Sequence, residues 1–277
     1  MIEGLLNGLL NSAAPLMLAG LGALLSDLSG ALGIFIEGFM ITGAFFSWIF
    51  AGWALARFVR LSGANPFIAG LALNLAASGV TLSLSAVWFG TKGVLQNPEI
   101  KIPGPVVLPL IDNIPLLGKI VSGQNPFTYT AWAFALVIAI GLKRSVPGFR
   151  LLASGLSPNV AEERGVRPGL YLEGAWALAA FLAALAGAAL TFRGGSYSPG
   201  GIAGRGWIAL AAVYLGFRRV WGVALAAILF SFAGLLGYTL QSFGALPATA
   251  LLGLPSVLAL LLYFLSLVFK KRASGKA

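Results

Sequence analysis

Apolar runs long enough to cross a bilayer alternate with short polar breaks along almost the whole chain. Leu5–Leu25 is interrupted only by Asn7, Asn11, Ser12 and Pro15. At 1.5 Å per residue this run covers about 32 Å, the depth of a hydrocarbon core. Ala31–Ala56 follows a short polar turn, carries Glu37 as its only charge, and is closed by Arg57 and Arg60; Asp27 reads as the cap of this second span. Pro66–Gly90 is the third, with Asn65 as helix cap and Pro66 in the first turn. The same Asn-Pro-Phe triplet recurs at Asn125–Phe127 and opens the fourth, Pro126–Leu142. Tyr171–Phe192, Val220–Leu240 and Thr249–Phe269 complete the long runs. Trp207–Phe217 is too short to span unaided and reads as a half-helix or broken span, which membranes tolerate where protein shields the backbone.

The pattern predicts an all-α, polytopic integral membrane protein of about eight segments, one short or broken, forming a single transmembrane domain over residues 1–277. Composition agrees: the chain is 58% hydrophobic and only 9% charged, against roughly 25% charged residues in soluble domains. The start of the chain reads as a span, because Glu3 stands where a signal peptide has its basic region and the apolar run continues past signal length. The net charge of +10 does not point to nucleic acid, since the basic residues sit at the ends of apolar runs. With no Cys and no His, thiolate chemistry and His-based catalysis are excluded, and no cofactor is expected.

Two stretches break the rhythm. Residues 91–125 form a proline-containing loop, read as external, with a short interfacial helix or lid expected around Ile111–Val121. Lys143–Leu170 holds Lys143, Arg144, Arg150, Glu162, Glu163, Arg164 and Arg167. Its centre, Leu151–Gly165, reads as a short helix: Ser157 is placed to cap it, Pro158 suits its first position, and Gly165 is placed to end it. With both termini cytoplasmic and eight crossings, 13 of the 18 Lys and Arg fall inside, the side to which positive loops belong. That places 143–170 in the cytoplasm, as a docking element for a soluble partner or as an ordinary charged loop.

Polarity at depth marks the remaining candidates. A carboxylate in a span is costly, so Glu37 reads either as a structural anchor or as a substrate contact. Asn74, unlike the Ser and Thr residues that stud the same span, has no easy partner on its own helix and is expected to face a polar interior. Trp207 anchors the short helix or lines a cavity. Ala180, Ala184 and Ala188 recur at four-residue spacing, which allows close helix approach in lipid. The glycine-rich Arg193–Arg205 stretch lacks a Gly-Lys-Ser/Thr ending, against a phosphate-binding loop.

Pro15–Gly30, Ile34–Met40 with its Ile36-Glu37-Gly38, Ile68–Asn74 and Gly201–Gly216 together resemble the permeases of bacterial and archaeal ABC importers for simple sugars, nucleosides and branched-chain amino acids. The greatest similarity is to the shorter permease of nucleoside importers that work with a basic-membrane-protein-type binding lipoprotein. The central helix resembles that family's coupling loop through Gly155, Pro158, Ala161 and Gly165. Ser26-Asp27-Leu28 and Gly33 depart from it, standing where the family has a Glu-Arg pair and an Asn. The resemblance implies a transport subunit in a prokaryotic cell membrane without its own ATPase site. Its implied partners are an ABC ATPase subunit, a second permease (identical or homologous) and an external substrate-binding lipoprotein. It also implies ATPase coupling through Gly155, Ser157, Pro158, Asn159, Ala161, Glu162 and Gly165, and a pathway for a nucleoside or sugar past Glu37, Asn74 and Trp207. The alternative is a self-contained secondary transporter or channel, which needs ion-coupling acids deep in the bundle.

Overall fold

The computed structural model describes residues 2–45, 49–95, 103–107, 109, 120–198, 201–202 and 204–242. In chain order its main helices are α1 (Ile2–Leu28), α2 (Ile36–Phe45), α3 (Ile49–Ser62), α4 (Pro66–Phe89) and α5 (Pro126–Arg144). After these come α6 (Val146–Leu156), α7 (Pro158–Glu163), α8 (Pro168–Gly194), α9 (Arg205–Leu215) and α10 (Val220–Ser242). Among the described residues, β-type backbone pairing is confined to two isolated bridges, Leu95 with Tyr197 and Val106 with Gln124. The protein is an all-α, multi-pass membrane protein.

Helix α1 is the axis. Every residue from Ala13 to Ser26 is buried, the mark of a helix enclosed on all sides. Helix α8 packs along it, with the Gly22 backbone so close to Ala179 that an added Cβ would lie 2.7 Å from the Ala179 carbonyl oxygen. Apolar side chains gain little by leaving lipid for one another, so such small-residue contacts hold helices together through close packing. The four-residue spacing of alanines on α8 meets glycines of two other helices: Ala184 abuts Gly43 of α2, and Ala180 abuts Gly52 of α3. Helices α4 and α5 are peripheral, and each begins as its Asn-Pro-Phe triplet predicts. The Asn65 and Asn125 side chains accept from Phe67 N and Phe127 N at 2.8 and 3.0 Å, with proline in the first turn.

Among the described residues, five helices are long and apolar enough to cross a membrane: Glu3–Leu28, Pro66–Phe89, Pro126–Arg144, Pro168–Gly194 and Val220–Gly237. The second expected span, Ala31–Ala56, is not one helix. Residues 31–35 are non-helical, and α2 then runs along α8 from Trp176, whose ring meets Phe35 at 4.6 Å, to Ala184. Helix α3 returns past Ala180 to Arg60, which pairs with Glu173 near the start of α8 at 2.6 Å. Helices α2 and α3 therefore leave and rejoin the same end of the bundle as the two legs of a helical hairpin. Hydropathy does not reveal this, because both legs lie in equally apolar surroundings.

The hairpin changes the parity of the crossings, and with it the position of α1. Asn7 donates to the Ser122 carbonyl at 3.3 Å, and Asn11 Oδ1 accepts from Asn125 N and Thr128 Oγ1 at 3.0 and 2.7 Å. The start of α1 thus shares an end with the 91–125 loop. The last turn of α1 meets Gly155 at the other end. The expectation that the start of the chain and residues 143–170 share one face is corrected: α1 separates them. Asp27 is corrected too, since it lies in the last turn of α1 and pairs with Arg218 rather than capping a second span. The expected last span Thr249–Phe269, and residues 111–119 of the expected interfacial helix, lie outside the described residues.

Candidate functional site

The short helix α9 begins at Gly204, in the left-handed conformation (φ 78°), without a side-chain cap of its own. Its first amides have no partners within the helix. Glu37, in the first turn of α2, supplies them: Gly204 N donates to Oε1 at 2.9 Å and Gly206 N to Oε2 at 2.5 Å. A carboxylate at a helix N-terminus also meets the positive end of the macrodipole. Glu37 is 8% exposed. A side chain at position 206 would meet the Glu37 backbone, with a Cβ 2.6 Å from its Cα, so glycine is required there.

Asn74 of α4 braces the same turn from the other side. Its Oδ1 accepts from Gly38 N at 2.7 Å and its Nδ2 donates to the Ile34 carbonyl at 2.8 Å. One amide thus satisfies the backbone on both sides of the break before α2. Ser26 adds a third support, accepting from Gly33 N at 3.1 Å. Trp207 stands beside Gly206 with its side chain partly exposed. The structure therefore brings Glu37, Asn74 and Trp207, far apart in sequence, to the junction of α2, α4 and α9. The backbone partners Gly38, Gly204 and Gly206 were not identified from sequence; the signal was the Gly204-Arg-Gly-Trp207 motif itself.

The second place is the elbow formed by α6 and α7. Ser145 ends α5 and starts α6: its Oγ donates to the Gly141 carbonyl at 2.6 Å and accepts from Gly148 N at 3.1 Å. Leu151–Leu156 belongs to α6, which stops because Pro158 disfavours helical backbone at Ser157. Pro158 opens α7 at its first position, while Ser157 makes no side-chain cap bond. The stop at Gly165 is a Schellman turn, with Gly165 N bonded to Glu162 O and Val166 N to Ala161 O, both at 2.9 Å. Ala161 is buried; Ser157, Pro158, Asn159, Glu162 and Gly165 are exposed, with Leu156 and Val160 among them. Gly155 faces inward, pressed on the backbone of Leu28 and Gly30.

These two places are linked through the end of α1. Next to the Gly155 contact, the Asp27 carboxylate accepts from Arg218 Nε at 2.5 Å, and its carbonyl from Arg218 Nη2 at 3.2 Å. Arg218 lies in the turn after α9, where Phe217 and Arg218 have φ of 54° and 55°. Non-glycine residues hold that conformation at a cost of about 1 kcal/mol or more each, when surrounding contacts impose it. The elbow, the end of α1 and the C-terminal end of α9 are thus in sequence contact by contact, and the N-terminal end of α9 rests on Glu37.

Residues 49–270 match the family described as branched-chain amino acid transport system / permease component. The chain belongs to this permease family. The match covers four-fifths of the permease and includes the elbow, Asn74 and α9. Three curated relatives have similar lengths. A putative glucose ABC transporter permease of Haloferax volcanii is 28% identical, over 86% of this chain and 78% of its own. The guanosine ABC transporter permease of Bacillus subtilis is 29% identical, over 90% and 87%. A nucleoside ABC transporter permease of Lactococcus lactis is 28% identical, over 79% and 77%. No solved structure matches. The permease is a membrane-embedded transport subunit of the ABC type.

Proposed function

We propose that this permease carries nucleosides, or simple sugars, into the cell as part of an ATP-driven importer, with α6–α7 as its coupling elbow. The observation that carries the reading is the elbow itself. Its outer face exposes Leu156 and Val160 with the polar Ser157, Asn159 and Glu162, while Gly155 and Ala161 tie it to the bundle. A protruding, rigidly seated element of this kind suits docking of a soluble ATPase subunit at Gly155–Gly165. The end of the bundle that bears it carries Arg57, Arg60, Lys143, Arg144, Arg150, Arg164, Arg167, Arg218 and Arg219, so this end is the cytoplasmic one. The 91–125 loop and the start of α1 are then external. The whole chain acts as one permease domain.

A docked ATPase pushes on the elbow, and Gly155 passes that motion to the end of α1. From there it reaches the α9 turn through Asp27 and Arg218, and α9 pivots on its Glu37 cradle to change access to the pathway. Glu37, Asn74 and Trp207 lie at this pivot and border the pathway. The chain supplies no ATPase site; hydrolysis belongs to the partner. A second permease subunit, identical or homologous, completes the pathway, and a substrate-binding lipoprotein delivers the solute from outside. A proton- or ion-driven carrier would need a free acid at depth, whereas Glu37 is engaged by two backbone amides and Glu173 by Arg60.

Uptake of radiolabelled uridine, ribose and leucine into membrane vesicles, with and without internal ATP, tests this reading. ATP-dependent uptake of uridine, competed by other nucleosides, is expected. Uptake that persists without ATP or an ATPase subunit would overturn it, and ATP-dependent uptake of leucine alone would overturn the substrate assignment.

A further inference from the structure

Between α5, α6 and α8 lies an open, almost wholly apolar groove of about 440 Å³, lined among others by Val137, Gly141, Leu151, Leu170, Gly174 and Leu178. Its place in the fold is informative. The lining comes from the last turns of α5 and the first turns of α8, so the groove lies within the lipid leaflet next to the elbow. Val137, Leu170 and Leu178 are exposed beside it, as are Val146 and Phe149 on α6. Glycine at positions 141 and 174 creates the space, because a Cβ at either would meet nothing within 4 Å.

Lys143 and Arg144 follow directly on the lining residue Leu142, and Arg150 directly precedes the lining residue Leu151. All three are exposed, Lys143 and Arg144 in the last turn of α5. Each cation near a membrane surface favours an anionic headgroup, and their effects accumulate. An apolar slot whose walls run directly into three exposed cations is the complement of an anionic lipid. We infer that the groove is a binding site for a single anionic phospholipid, its acyl chain between α5 and α8 and its phosphate against Lys143, Arg144 and Arg150. Because α6 forms one wall, the bound lipid fixes the elbow to the spanning helices.

Native mass spectrometry of the purified full-length chain, released from nanodiscs of phosphatidylglycerol or of phosphatidylcholine, tests it. The wild type is expected to retain one phosphatidylglycerol per chain, at least about tenfold more than phosphatidylcholine under the same activation. Gly174→Leu, whose Cβ meets nothing within 4 Å and whose side chain enters the slot, should lose the retained lipid at unchanged thermal stability. The triple change Lys143→Gln, Arg144→Gln and Arg150→Gln should retain both lipids equally. Equal retention of the two lipids by the wild type, or undiminished phosphatidylglycerol on Gly174→Leu, would overturn the site. A Gly174→Leu chain that instead changes its oligomeric state would assign the groove to a second copy and likewise overturn it.

Discussion

The two ends of α9 are held in opposite ways. At its N-terminal end a buried carboxylate accepts two backbone amides and a buried asparagine fixes the turn that carries it. At its C-terminal end Arg218, whose side chain is 47% exposed, joins Asp27, 12% exposed, through an ion pair and a bond to its carbonyl. Charge-assisted hydrogen bonds in a dry interior are strong and intolerant of loss, whereas a wet ion pair contributes little and is screened by salt. In the proposed transport cycle the deep end is the fixed pivot and the surface end the one that moves.

The largest effect is expected on breaking the pivot. Glu37→Ala leaves two buried amides without acceptors and should lower stability by about 4 kcal/mol, with uptake abolished. Glu37→Gln keeps the shape but turns a donor toward one amide, and should cost about half as much. Thermal unfolding in detergent measures both; a loss below about 1 kcal/mol for Glu37→Ala would mean that the carboxylate does not hold α9.

Asn74→Leu comes next, leaving Gly38 N–H and the Ile34 carbonyl unpaired, at about 2 kcal/mol. Uptake should fall with it even at temperatures where the protein stays folded, because the turn carrying Glu37 loosens. A stable variant with full uptake would remove Asn74 from the pivot.

At the elbow, the two serines should separate cleanly. Ser145→Ala removes a cap bond and should destabilise by about 1 kcal/mol, while Ser157→Ala removes none and should leave stability unchanged. Since Ser157 is exposed on the elbow, its replacement by a bulky residue should weaken ATPase capture instead, read by co-purification. The smallest effect on stability belongs to Asp27→Asn, at about 0.5 kcal/mol and vanishing in high salt. Its effect on ATP-driven uptake should be far larger than its effect on unfolding.

Much of this was legible from sequence where the signal is local. The Asn-Pro-Phe triplets fixed two helix starts, Pro158 and Gly165 bounded α7, and the alanine spacing marked the face of α8 that meets Gly43 and Gly52. Glu37 and Asn74 stood out because polarity in an apolar run is rare. What they bind was not legible, because Gly204 and Gly206 lie more than 160 residues from Glu37 and offer only backbone. The hairpin of α2 and α3 escaped for a related reason: hydropathy reports the surroundings of a segment and not its direction. Counting it as one crossing inverted α1, although the positive-residue count was unaffected, since the first turns of α1 carry no Lys or Arg.

The central claim is that motion enters at the elbow and reaches α9 through the end of α1. The chain has no cysteine, so Asp27→Cys with Arg218→Cys allows that junction to be bridged by a short, cleavable thiol cross-linker. ATP-driven uptake should be low in the unbridged double variant, which lacks the ion pair, should rise when the bridge is closed and should fall again when it is cleaved, with the reagent leaving either single variant unchanged. Full uptake by the unbridged double variant, unchanged on closing the bridge, would contradict the account.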